Sequence, residues 1–226
     1  MKYNEIKADG LFIEDGVKIG EGVTFYGDSF IFGNTVIGDN CVIYPGNFIK
    51  DCIIGAGCTL YPNNFIEKSV IGENVRVKSS DICEAEIERE AEIGPFARLR
   101  PSAKIREGAK IGNFVEVKNA TVGKRSKASH LTYVGDADVG ENCNIGCGAI
   151  FVNYNGKSKN RSVVGDNAFV GSNCNVIAPV KIGDGAYVCA GTTITEDVEN
   201  GDFVIGRSRQ VVKKGRAENY LKESES

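Results

Sequence analysis

Tryptophan is absent from this chain of 226 residues, and histidine and methionine occur once each. A single histidine excludes any metal centre built on several imidazoles. No Cys-x-x-Cys pair occurs among the eight cysteines, so zinc and dithiol redox readings have no support. No apolar run is long enough to cross a membrane. The first ten residues, MKYNEIKADG, lack the apolar core of a secretory signal. Charge of one sign is not in excess either: the net value is −3, which excludes general affinity for nucleic acid or for a membrane surface. These absences point to a reducing, cytoplasmic setting in which the cysteines remain thiols.

What is present is a period. Val164, Val170, Val176, Ile182, Val188 and Ile194 are spaced six apart without a break. An isolated strand alternates every two residues and a helix returns every 3.6, so a sustained six fits a strand-plus-turn unit that contributes one inward aliphatic per side of a coiled sheet. Four residues further on stand Ala168, Cys174, Val180, Ala186, Thr192 and Val198, small or β-branched as a second inward slot at a tight corner requires. Gly165, Gly171 and Gly183 directly follow the aliphatic, where the spacing predicts a backbone turn that tolerates no Cβ. Earlier runs repeat the pattern: Ile37, Ile43 and Ile49; Ile54, Leu60 and Ile66; Ile93, Leu99, Ile105, Ile111 and Val117. Between runs the phase slips by about one residue, as a corner of different length produces.

The chain therefore reads as all-β, a hexapeptide-repeat parallel β-helix of about ten triangular coils running from about Val17 to Val198. Residues 1–15 read as a lead-in, 16–206 as the solenoid, and 207–226 as a basic and polar tail that ends in a short, fraying helix. Cys41, Cys58, Cys143 and Cys174 all fall in the small inward slot and read as packed thiols.

The repeat breaks after Phe151, where Lys157 occupies a position due to an aliphatic. The polar, basic stretch 152–162 must leave the prism as a loop, and solenoids carry such insertions on a binding face. His130, two residues past the inward Ala128, is read as outward, with Tyr133 outward beside Val134. Histidine is the side chain whose ordinary pKa suits a proton acceptor near neutrality. Arg100 and Lys118 follow the inward Leu99 and Val117 and lie 18 apart, one full coil. They are expected to stack about 4.8 Å apart, where like charges repel unless an anion such as phosphate joins them.

Three segments carry a more specific signal: Gly94-Pro95-Phe96-Ala97-Arg98-Leu99-Arg100-Pro101; Asn113-Phe114-Val115-Glu116-Val117-Lys118 with Ser129-His130-Leu131-Thr132-Tyr133-Val134-Gly135-Asp136-Ala137; and Asn153-Tyr154-Asn155-Gly156-Lys157-Ser158-Lys159. Together, over about Gly16 to Arg209, they resemble the acetyltransferase half of the bifunctional bacterial enzyme that makes UDP-N-acetylglucosamine. The resemblance implies a left-handed β-helix, a homotrimer with sites between subunits, and acetyl transfer from acetyl-CoA to the amine of glucosamine 1-phosphate. It assigns His130 as proton acceptor. Arg100, Lys118, Tyr133, Asn144 and Lys159 become contacts to the amino-sugar phosphate, and Cys147, Asn153, Tyr154, Ser172, Ala190 and Arg207 contacts to acetyl-CoA. Glu116 is a candidate to orient the imidazole, and Ser172 or backbone N–H groups to stabilise the oxyanion. No metal is expected.

Two departures from the family pattern carry expectations of their own. No nucleotide-binding domain precedes Val17, so uridyltransferase activity is not expected of this chain, and a separate sugar nucleotidyltransferase becomes a candidate partner. Asn155 stands where the family usually has Asp, which leaves open another amino sugar as acceptor. Cys147 stands where the family often has Ala, in a contact to the acetyl donor made through backbone. A sugar hydroxyl as acceptor is a competing reading. A non-catalytic β-helix that recruits a nucleotidyltransferase is the alternative of another class.

Overall fold

The inward aliphatics decide the architecture. The computed structural model describes residues 10–220, and over them the chain winds as a left-handed parallel β-helix with three flat faces. Each face is one parallel sheet whose neighbouring strands lie three strands apart in sequence, except the last pair of the third face, which lies two apart. The first face runs from Leu11–Ile13 to Thr193–Ile194 in eleven strands. The second runs from Lys18–Ile19 to Lys181–Ile182 in ten, and the third from Thr24–Phe25 to Phe203–Val204 in eleven.

Nearly every strand of two to four residues puts one apolar side chain inside, an aliphatic in most and a phenylalanine at Phe25 and Phe151. Ile37, Ile43, Ile49, Ile54, Leu60, Ile66, Leu99, Val117, Val176 and Ile182 are each 0–1% exposed, and a buried residue three or four positions further on fills the next corner, three where the phase slips, as at Cys52, Ser69 and Ala120. Only contact with the coils above and below buries these side chains, so the stack is stable as an array and not rung by rung. Cutting one of the large members back to Ala costs about 2–5 kcal/mol. Cys41, Cys58, Cys143 and Cys174 are buried as expected, and Cys52 and Cys189 join them.

Three details differ from the sequence reading. About eleven coils form instead of ten, because the first rung starts at Leu11, inside the stretch set apart as a lead-in. Ile13 is in register with the inward Ile31 and is 36% exposed, at the edge of the described residues. Gly165, Gly171 and Gly183 are required by contact and not by a left-handed turn: a Cβ on each would lie 2.2 Å from Asp184 Oδ1, 2.4 Å from the Ala190 nitrogen and 2.5 Å from Asn200 Oδ1, atoms of the next coil. The left-handed positions are held mainly by other glycines and by asparagines such as Asn40, Asn142, Asn167 and Asn173, whose short side chains tolerate that region. Third, a single 3-10 turn at Ala217–Asn219 is the only helical element among the described residues, and 221–226 of the expected terminal helix lie outside them. No helix among the described residues is long and apolar enough to cross a membrane.

Candidate active site

Register places most of the expected site residues on two vertical lines. The first is the corner where the third face passes into the first. Asn113 and His130 are partners on successive coils. The same register continues through Cys147, Ser172 and Ala190, as the corner bonds from Gly148 N–H to Leu131 C=O, Asn173 N–H to Cys147 C=O and Gly191 N–H to Ser172 C=O show. Arg207 closes the line by donating from Nη1 to the Ala190 carbonyl at 2.9 Å. At about 4.8 Å per rung, His130 and Ala190 are separated by roughly 14 Å. The N–H groups of Cys147, Ser172 and Ala190 make no hydrogen bond with the described residues, so the line presents a row of backbone donors.

His130 is exposed, as its position required. Its Nδ1 is held by Asn113 Oδ1 in a short contact. An amide oxygen only accepts, so Nδ1 carries the proton and the neutral ring keeps its lone pair on Nε2. The expectation that Glu116 orients the imidazole is corrected here. Glu116 is taken by Arg100, whose Nη1 donates to Glu116 Oε1 at 2.8 Å. That carboxylate raises the Arg100 pKa above its ordinary value.

The second line is the corner where the first face passes into the second. Leu99 pairs with Val117 and Lys118 with Gly135, so Arg100, Lys118 and Gly135 succeed one another up the prism. Tyr133 stands outward on the same face and folds over Gly135: a Cβ there would lie 2.3 Å from the tyrosine oxygen. The loop leaves the prism after Val152 and returns at Ser162. It carries Lys159 to Lys118, which thereby loses its proton more readily than a free lysine; Lys159 is the main cause, followed by partial desolvation and Arg100. Arg100, Lys118, Tyr133 and Lys159 thus converge, with Asn153 donating to the Tyr133 oxygen at 3.3 Å. Tyr154, the second residue of the loop, is exposed and donates its hydroxyl to the Gly156 carbonyl at 2.8 Å.

Asn144 does not join them within one chain. It stands exposed on the third face, above Lys127 and below Phe169. His130 and Lys118 also occupy opposite edges of the first face. The five residues from His130 to Gly135, Lys118's partner, span at most about 17 Å. Asn155 proves to be a turn residue, its Oδ1 accepting from the N–H groups of Lys157 at 2.9 Å and Ser158 at 2.8 Å. Either Asn or Asp can do this, so the exchange leaves the loop's shape intact.

Two residues that matter were not singled out from the sequence. Asn113 lies 17 residues before His130, the same step that separates Ile111 from Ala128, and that step was the available signal. Asp136 is 7% exposed and sits at the base of the loop with both carboxylate oxygens bonded, to Asn119 at 2.6 Å and to Asn153. Beside the histidine corner, Phe96, Phe114 and Leu131 form an exposed apolar ladder, the two rings stacked 5.5 Å apart. All three hold left-handed backbone angles, φ +57°, +56° and +48°, that bulky residues seldom adopt.

The family model for bacterial transferase hexapeptide (six repeats) matches residues 34–68 and 161–196. The chain belongs to the hexapeptide-repeat family. Within that family, the bifunctional protein GlmU of Clostridium kluyveri is 47% identical over 209 residues, 92% of this chain and 42% of that protein. GlmU of Geobacillus sp. (strain WCH70) is 48% identical over 210 residues, 93% of this chain and 41% of that protein. This chain therefore spans less than half the length of the curated relatives it matches. Among solved structures, UDP-N-acetylglucosamine acyltransferase from Campylobacter jejuni is similar to this chain with a TM-score of 0.47 and 20% identity, over 81% of this chain and 71% of that one.

Proposed function

We propose that this hexapeptide-repeat chain is an acetyl-CoA-dependent N-acetyltransferase whose acceptor is an amino-sugar phosphate. Glucosamine 1-phosphate is the preferred acceptor, giving N-acetylglucosamine 1-phosphate for UDP-N-acetylglucosamine synthesis. The observation that carries the reading is the cation cluster: Lys118 follows Arg100 up the prism, and the loop brings Lys159 against it, which with partial desolvation and the Arg100 charge lowers its pKa. Such a cluster is stabilised by an anion with several acceptor oxygens, and a phosphate monoester supplies one.

The rest of the chemistry follows from the histidine corner. An ammonium has no lone pair to attack a thioester. Nε2 of His130, left free by the Asn113 contact, accepts the amine proton as the nitrogen bonds to the acetyl carbon. The carbon–sulfur bond then breaks, and the proton passes on to the departing CoA thiolate. The free N–H groups at Cys147 and Ser172 support a donor that runs up the corner from His130 towards Ala190 and Arg207, with its carbonyl oxygen against backbone donors. Ser172 itself is two rungs from His130, about 10 Å, and suits the donor's arm better than the oxyanion.

A complete site needs more than one copy in this reading. Asn144 is on another face from the cations, and the imidazole is across a face from them. The exposed Phe96, Phe114 and Leu131 ladder, and the Phe12, Phe30, Phe48 and Phe65 column on the first face, support packing of copies side by side as a homotrimer. Eight free cysteines, six of them buried, suit a cytoplasmic protein.

The experiment is CoA-thiol release from acetyl-CoA with glucosamine 1-phosphate, glucosamine 6-phosphate, free glucosamine and N-acetylglucosamine as acceptors. Release with a phosphorylated amine and little with free glucosamine is expected. Equal rates with free glucosamine would remove the phosphate from the account, and release with N-acetylglucosamine would move the chemistry to a hydroxyl.

A further inference from the structure

Asp136 is the one carboxylate beside the cation cluster that no guanidinium claims. Glu116 is paired with Arg100, and Asp138 with Arg161. Asp136 is nearly buried, at 7% exposure, in a left-handed backbone position with φ +47°. Its Oδ1 accepts from Asn119 Nδ2 at 2.6 Å on the coil below, and its Oδ2 from Asn153 Nδ2 at the loop's exit. Its N–H donates to the Lys118 carbonyl at 3.0 Å, and its own carbonyl accepts from Ser162 N–H at 3.2 Å, where the loop returns. One residue therefore touches the coil that bears Lys118 and both ends of the loop that bears Lys159.

The loop needs such an anchor. Lys159 is exposed and sits against Lys118, so in the absence of an anion the two charges push the loop away from the prism. The bond from Asn160 N–H to the Asn153 carbonyl at 2.7 Å closes the loop on itself. Arg161 grips Asp138 and the Asn119 carbonyl on the return side. On the exit side, where Asn153 and Tyr154 begin the loop, the side-chain contact to the prism other than the long bond to Tyr133 is Asp136.

We propose that Asp136 is a positioning residue that staples loop 153–161 to the prism, so that Lys159 and Lys118 are held together in advance for the phosphate of the acceptor. This rests on the amino-sugar-phosphate reading for its substrate, but the staple itself is a property of the chain. An asparagine at 136 turns an NH2 group towards one of two NH2 donors, which breaks half of the staple while keeping size and shape. Alanine breaks all of it.

The test uses the full chain with Asp136→Asn and Asp136→Ala. Two readouts are taken: steady-state kinetics with glucosamine 1-phosphate, and the rate at which trypsin cuts at Lys157 and Lys159. The expected result is a KM for the sugar phosphate raised about tenfold or more, with kcat changed less, and faster cutting of the loop at a thermal midpoint close to that of the unsubstituted chain. Lys159→Ala, which raises KM on its own, adds nothing further in the Asp136→Ala background. If the unsubstituted chain does not use glucosamine 1-phosphate, the substrate reading fails while faster loop cutting still upholds the staple. Unchanged loop cutting with an unchanged KM in both variants overturns the proposal. So does a loss of cooperative unfolding in Asp136→Asn, which would make Asp136 a residue of the fold alone.

Discussion

Asn113 and His130 stand one above the other on successive coils, and the amide oxygen of the first fixes Nδ1 of the second. The contact selects the tautomer that leaves Nε2 able to accept a proton. Asn113→Ala is expected to lower kcat by about ten- to a hundred-fold with little change in either KM. Asn113→Asp puts a negative charge beside the ring and raises its pKa, so the rise of kcat with pH moves to higher pH. The pH dependence of kcat for the two variants checks both statements.

Lys118 loses its proton below the ordinary lysine range because Lys159 faces it. A lowered lysine pKa means that the charge is present below that value and lost above it, so affinity for the sugar phosphate falls with rising pH earlier than for an isolated lysine. Lys159→Ala relieves the repulsion and moves this alkaline limb to higher pH, although it raises KM at neutrality. Lys118→Ala removes the limb's cause and mainly weakens sugar-phosphate binding. Profiles of KM against pH for the three proteins distinguish these cases.

Cys147 lies exposed one rung above His130, in the row assigned to the donor. Alkylation with N-ethylmaleimide is expected to block acetyl transfer, and acetyl-CoA is expected to slow the alkylation. Cys147→Ala retains activity and resists the reagent. An alkylated chain with full activity would place the donor elsewhere.

The fold was legible because its cause is local and periodic. One aliphatic every six residues is enough to say which atoms face inward, and the thiols of Cys41, Cys58, Cys143 and Cys174 followed from the same count. The Arg100–Lys118 column was legible for the same reason, since one intact coil of 18 residues with no insertion separates the two. The histidine line was not. Its steps are 17 from Asn113 to His130, 17 to Cys147, 25 to Ser172 and 18 to Ala190, because the loop inserts residues between two rungs of one line. Asn113 and Asp136 escaped notice because their roles are set by contacts between coils at slipped phase, and the Glu116 assignment erred because a neighbouring guanidinium competes for the carboxylate.

Burial pushes the Cys52 thiol up to about 11 from an ordinary 9.0. The native state then holds a proton that the unfolded chain releases. Stability from this group is complete below about pH 9 and is lost as pH rises towards 11, at about 1.4 kcal/mol per unit. Urea unfolding at pH 8 to 11 is expected to show this slope in the unsubstituted chain, and a shallower one in Cys52→Ala.

The account turns on the imidazole as the acceptor of the amine proton, and the most direct measurement is CoA-thiol release from acetyl-CoA and glucosamine 1-phosphate by His130→Ala. The variant is expected to keep its β-sheet circular dichroism and its affinity for both substrates, and to turn over about a hundred- to ten-thousand-fold more slowly than the unsubstituted chain. A folded His130→Ala protein that turns over within about twofold of the unsubstituted rate would contradict it, since a group worth 10²–10⁴ cannot be removed without trace.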